Sequence, residues 1–155
     1  MMSEQRKVIE EIRAHSLADL GNRWAQDMAA TAPHVEAAAI AFVLVEERRA
    51  GRESIDRNTP DNPDNPGFDI ESRDPRTKTT RYIEVKGTKN EWGDFGVTVS
   101  PTQVRFALER AEAAWLYVVE CALHEERKRC YRIQNFASKI GEFVVDGRLR
   151  HLADR

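Results

Sequence analysis

Asp69, Glu84 and Lys86 are the residues of this chain whose types and spacing could do chemistry. Asp69 stands in the short apolar run Gly67-Phe68-Asp69-Ile70, and the other two stand in Tyr82-Ile83-Glu84-Val85-Lys86-Gly87. Each charge has β-forming neighbours, and among such neighbours a charge is hard to solvate unless it is paired or bound to a metal. Strand alternation puts Glu84 and Lys86 on one face, with Ile83 and Val85 on the other. If residues 71–80 turn the two runs into a hairpin, Asp69 comes to rest beside Glu84. Two carboxylates and an ammonium on one sheet face can hold a divalent cation and activate a water. The competing reading is a purely structural ion-pair cluster.

The elements that must position these residues follow from the rest of the chain. With 155 residues, 41% hydrophobic and 32% charged, the sequence suits one soluble domain with a real core and holds no apolar run of membrane-spanning length. Residues 1–32 read as an N-terminal helical segment, 33–121 as the core and 122–155 as a C-terminal strand and helix extension. Within the first segment Ser16 marks a break between two helices over residues 3–30. Pro33 opens a stronger helix through Arg49, with Val35, Ala38, Ala39, Phe42 and Val43 on one face. Glu46 lies eleven residues after Val35. That is about three turns at 3.6 residues each, so it points with the core stripe, while Glu36 and Glu47 point elsewhere. Its alternative role is a carboxylate snorkelling at the core's rim.

Residues 52–57 read as a short strand, and the proline-rich stretch 58–66 reads as a rigid irregular loop. Phe95 to Val99 alternates as a strand. Ser100-Pro101-Thr102-Gln103 has the spacing of a capping box, which gives Gln103 a structural reason to be there besides any role facing the site. The helix it starts runs to about Ala113. Ala114 to Cys121 is then a continuous apolar run of the kind buried on both sheet faces. Arg129 to Gln134 returns as a strand, Asn135 caps a short helix, and Glu142 to Val145 with Asp146-Gly147 gives a last strand and turn. The result is an α/β domain, N-terminal helices packed on a mixed sheet of roughly five or six strands.

Other chemistries lack their parts. His15, His34, His124 and His151 are scattered and form no HExxH pattern, and there is no GxSxG and no phosphate-cradling glycine loop. Cys121 and Cys130 form no CxxC pair, and no apolar leader follows Met1, so a cytoplasmic protein with reduced thiols is expected. With a formal net charge of −2, nucleic-acid binding must use a local patch. The span Arg73 to Lys89 offers one, with six basic residues against two acidic, and it reads equally as a solvated hairpin loop.

A helix with an inward glutamate, a strand, a strand with Asp, a strand with Glu-x-Lys, a helix and a strand: this order resembles the core of the PD-(D/E)xK, restriction-endonuclease-like superfamily. More narrowly, Gly67-Phe-Asp-Ile70, Tyr82-Ile-Glu-Val-Lys-Gly-Thr88 and Leu116-Tyr-Val-Val119 resemble an uncharacterised nuclease-like domain family often fused to helicases or found in bacterial defence loci. Two positions depart from the superfamily pattern. Phe68 stands where a proline precedes the metal-binding Asp, and Ala107 stands where one branch places a tyrosine four residues after its glutamine. The resemblance implies metal-dependent hydrolysis of phosphodiester bonds in nucleic acid, with DNA the expected form, in defence or repair. Mg²⁺ or Mn²⁺ would be held by Asp69, Glu84 and the main-chain carbonyl of Val85, with Glu46 as a further ligand. Lys86 would orient and help deprotonate the water, and Arg81, Lys89 and Gln103 would touch substrate. A homodimer or a helicase-type partner would help hold the nucleic acid, since affinity grows with the number of phosphates neutralised. The alternative is a catalytically degenerate fold that binds nucleic acid or protein.

Overall fold

The structure, a computed structural model, describes residues 32–59, 61, 66–93 and 96–140. Helix α1 occupies residues 32–49. It is followed by β1 (Glu53–Asp56), β2 (Ile70–Arg73), β3 (Thr80–Gly87), α2 (Pro101–Arg110), β4 (Ala114–Glu120) and β5 (Arg129–Gln134). Short 3₁₀ turns follow α2 at Ala111–Ala113 and β5 at Phe136–Lys139. The five strands form one sheet in sequence order. β1, β2 and β3 make an antiparallel meander, β4 lies parallel to β3, and β5 is antiparallel to β4. The expected α/β class, with a helix packed on a mixed sheet, is what the chain adopts. The helices expected over 3–30 and the strand and turn at 142–147 lie outside the described residues.

Alternation within the strands decides which helix covers which face. Val35, Ala39, Ile40 and Val43 of α1 pack on Ile70, Ile83, Val85, Tyr117 and Val119. On the other face, Ala107 of α2 packs with Ala114, Leu116, Val118, Phe136 and Ala137. β4 therefore feeds two cores from alternate residues, which is why its sequence is apolar throughout. At the end of β3, α1 comes close to the backbone. A Cβ built on Gly87 would sit 2.8 Å from the Val35 carbonyl oxygen, so any side chain there would push the helix off the sheet.

Three local expectations need correction. The first site strand begins at Ile70, not Gly67, and takes in the polar residues Glu71 to Arg73. Gly67, at φ +96°, lies outside it in a conformation that glycine tolerates. Val97 and Val99 form no strand and instead pack into the α2 core. Asn135 is left-handed and does not cap the turn after β5; its amide donates to Glu112 Oε1 at 2.9 Å. Among the described residues, no helix is long and apolar enough to cross a membrane.

Candidate functional site

Just before β2 begins at Ile70, Asp69 carries the pairing on toward the C-terminal end of β3. Its N–H donates to the Ile83 carbonyl at 2.9 Å, and its Oδ2 accepts from the Val85 N–H at 2.7 Å. A side-chain oxygen thus stands in for a strand carbonyl and fixes the buried carboxylate at the sheet end. In an antiparallel strand the N–H and carbonyl of one residue point the same way, so the Val85 carbonyl faces this same side.

Glu84 is 2% exposed and points to the α2 face. Its Oε1 takes Lys86 Nζ at 2.8 Å and Gln103 Nε2 at 2.6 Å, while Oε2 is buried with no hydrogen-bond partner. An unpartnered buried carboxylate oxygen costs several kcal/mol unless a proton or a cation meets it. The electrostatics agree. Burial, chiefly, and then the charge of Asp69 push Glu84 up to about 7 against the pull of Lys86. Burial likewise raises Asp69, opposed by the Val85 N–H and by Lys86, and reinforced by Glu36 and Asp56.

The structure gathers Asp69, Glu84, Lys86 and Gln103 at one end of the sheet, with Lys89 three residues beyond Lys86 in the following connection. Arg81 is elsewhere. Five residues before Lys86, roughly 16 Å along the strand, its guanidinium turns to the α1 face, where it meets Glu47 and lies over the Trp115 ring. Glu46 is also apart, bonded to Arg49 at 3.1 Å and facing Arg132 of β5 at 3.7 Å. The glutamate on α1 whose charge reaches Asp69 and Glu84 is Glu36, ten residues or about 15 Å earlier on the helix. Spacing counted from Val35 points it away, and the structure corrects this.

Glu47 is a second reversal, since it was also read as pointing outward. The packed face of α1 passes through Val35, Ala39 and Val43, and a further step of four reaches Glu47, whereas eleven residues from Val35 lead only to the rim. Glu47 is buried and satisfied. Tyr117 Oη donates to its Oε1 at 2.8 Å and Ser72 Oγ to its Oε2 at 2.7 Å, while Arg81 reaches both oxygens and Arg52 Nε lies 3.1 Å from Oε2. Asp56 is likewise a participant that sequence reading passed over; its position at the end of β1, beside the proline-rich loop, was the signal available.

Among the described residues, no group of three or more His, Cys, Asp or Glu side chains stands close enough together to enclose a metal by itself. Mg²⁺ does not require one, because it commonly uses one or two carboxylates and keeps water and phosphate oxygens for the rest. The donors here suit that habit: two buried carboxylates with raised proton affinity, one orphaned oxygen and a strand carbonyl. Asp69, Glu84 and the Val85 carbonyl are the groups here that could hold a hard divalent cation.

A family model described as Protein NO VEIN, C-terminal, matches residues 35–133, more than half of the chain. The chain belongs to this family. No curated protein and no solved structure matches. The NO VEIN C-terminal region here takes in the whole five-stranded sheet except the last residue of β5, and it includes Glu36, Asp56, Asp69, Glu84, Lys86 and Gln103.

For this NO VEIN C-terminal domain, the raised proton affinity of Glu84 has a consequence for stability. A carboxylate whose folded pKa lies above its unfolded value of 4.5 stabilises the fold when protonated, and that contribution is lost as pH climbs toward about 7. Metal-free protein is therefore expected to melt at lower temperature at pH 8 than at pH 5. Glu84→Gln is expected to flatten this loss and to melt no lower than wild type at pH 8. Thermal unfolding across that range in chelator checks it, and a large destabilisation by Glu84→Gln would favour the structural ion pair.

Proposed function

We propose that this chain is a metal-dependent nuclease of the PD-(D/E)xK kind, hydrolysing phosphodiester bonds of nucleic acid, with DNA the expected form, in defence or repair. The observation that carries the reading is the orphaned Glu84 Oε2 beside Asp69, with Lys86 held on the other oxygen of the same carboxylate. Glu36, Asp56, Asp69 and Glu84 would leave the site strongly negative around one lysine, so a phosphodiester needs a cation there before it can approach. Asp69, Glu84 and the Val85 carbonyl would hold Mg²⁺ or Mn²⁺. Such an ion, when bound, polarises a phosphate oxygen and lowers the pKa of a bound water.

The chain's own groups do the rest. Lys86, tethered to Glu84 Oε1, places a fixed positive charge where charge grows on the phosphate and can orient the attacking water. Glu36, at the rim, would add negative charge to the site without standing close enough to be a third ligand. Lys89 would meet a neighbouring phosphate; Arg81, turned to the other face, would not. With a net charge of −2, a homodimer or a helicase-type partner would supply the remaining phosphate contacts.

Cleavage of plasmid, linear duplex, single-stranded DNA and RNA, each with Mg²⁺, Mn²⁺ or chelator, tests the reading. Metal-dependent cleavage that is lost in Asp69→Ala and kept in the exposed control Glu109→Ala supports it. The second reading, a degenerate binding module, is favoured by one observation: Lys86 is already engaged by Glu84 and Gln103. Absent cleavage on every substrate, together with DNA binding that persists in chelator, would establish that module instead.

A further inference from the structure

We propose that Gln103 is a positioning residue, one that commits Oε1 of Glu84 and so leaves Oε2 of the same carboxylate turned to a cation. The inference rests on the nuclease reading above and gives Gln103 a role different from substrate contact. It starts from the cap of α2. Ser100 Oγ accepts from the Gln103 N–H at 3.2 Å, and Gln103 Oε1 accepts from the Ser100 N–H at 2.7 Å, the reciprocal pair of a capping box. That bond uses only the carbonyl half of the side-chain amide. The other half, Nε2, donates to Glu84 Oε1 at 2.6 Å.

The amide cannot be turned round without loss. Oε1 faces two donors, the Ser100 N–H and Lys86 Nζ at 3.4 Å, whereas Nε2 faces a carboxylate oxygen. A flip would set an NH₂ against both donors and a carbonyl against Glu84. The helix cap therefore fixes the amide, and the amide fixes Glu84. A glutamate would complete the capping box as well as a glutamine, but it has no proton to donate and would set a second negative charge against Glu84. Among the residues a capping box uses at this position, glutamine is the one that serves both the cap and the carboxylate. The buried oxygen left without a partner is then the product of this arrangement, because Lys86 and Gln103 both converge on Oε1.

Two variants separate the roles. Ser100→Ala breaks the cap and leaves the Gln103 side chain its bonds to Ser100 N–H, Lys86 and Glu84; Gln103→Met breaks the cap and removes the donor. Both are expected to lower the melting temperature by similar amounts. Calorimetric titration with Mn²⁺ alone is expected to show affinity unchanged in Ser100→Ala and about 10- to 100-fold weaker in Gln103→Met, the usual loss when a partner of a metal ligand is removed. Crystals of metal-free Gln103→Met should show Glu84 turned from its wild-type orientation, and those of Ser100→Ala should show it in place. Equal affinity losses in the two variants, or an unmoved Glu84 in Gln103→Met, would overturn the proposal. A wild-type protein that takes up no Mn²⁺ would overturn the nuclease reading, and the orientation of Glu84 in the two crystals would then still decide whether Gln103 sets it.

Discussion

Glu47→Ala is expected to cost about 3–5 kcal/mol of stability, the usual effect of removing one partner from a buried ion network. Its carboxylate holds Ser72, Arg81, Tyr117 and Arg52 together beneath the second half of α1. Without it, the Arg52 guanidinium is left buried with only the Ser72 and Thr79 oxygens and a distant Asp74 at 3.7 Å. The Tyr117 hydroxyl, whose pKa burial raises and Glu47 raises further, loses its acceptor. Folded domains have about 5–15 kcal/mol in hand, so urea unfolding should show a large shift in midpoint. Glu47→Gln, which keeps the shape and some of the hydrogen bonds, should fall between wild type and alanine. A shift no larger than that of Glu109→Ala would mean that α1 is held by its apolar stripe alone.

Lys86→Ala is expected to lower the chemical step about 10²- to 10³-fold, as when a single electrostatic donor is removed from a transition state. Mn²⁺ affinity should stay near wild type, because the carboxylates are intact, Gln103 still holds Glu84 Oε1, and the positive charge removed competes with a metal ion. Asp69→Ala should lose metal affinity and rate together, since it removes a proposed ligand and also the acceptor of the Val85 N–H. Single-turnover cleavage beside calorimetric Mn²⁺ titration separates the two effects. Cleavage at the wild-type rate in both variants would place the activity in another site or another protein.

The acidic pair and its lysine could be read from sequence because they sit within one local hairpin, where alternation alone assigns faces. The covering helix was legible in its stripe but not in its phase. A stripe anchored on Val35 points to Glu46, while the face that packs is centred nearer Ala39 and Val43 and reaches Glu47. Glu36 lies on the same side as that face but in the first turns, where the helix overhangs the sheet end, so the residue that approaches the carboxylates is solvated enough to look like surface. The reach of β2 beyond Ile70 was hidden for another reason. Its buried Ser72 is polar, and what makes its burial tolerable is Glu47 and Arg52, 25 and 20 residues away in sequence. Val97 and Val99 show the converse. Their alternation is that of a strand, but β3 already has β2 and β4 at its sides, so these valines are used under α2 instead.

The sheet order also says how the chain can reach this state. β1, β2 and β3 pair with their sequence neighbours, and so do β4 and β5. Among the described residues, the parallel register of β3 against β4, Tyr82 with Ala114 through Gly87 with Val119, is the only strand pairing that must wait for a helical crossover. The domain is thus two local zippers joined at one seam of high contact order, and α1 lies across that seam, touching Ile83 and Val85 on one side and Tyr117 and Val119 on the other. Long-range parallel pairing is slow to form, so closure of the seam is the natural late step of folding. Asp69, Glu84 and Lys86 all belong to the first zipper. Gln103 reaches Glu84 only when the crossover docks, so a chain caught before closure would hold Glu84 paired with Lys86 but without the Gln103 amide on its Oε1.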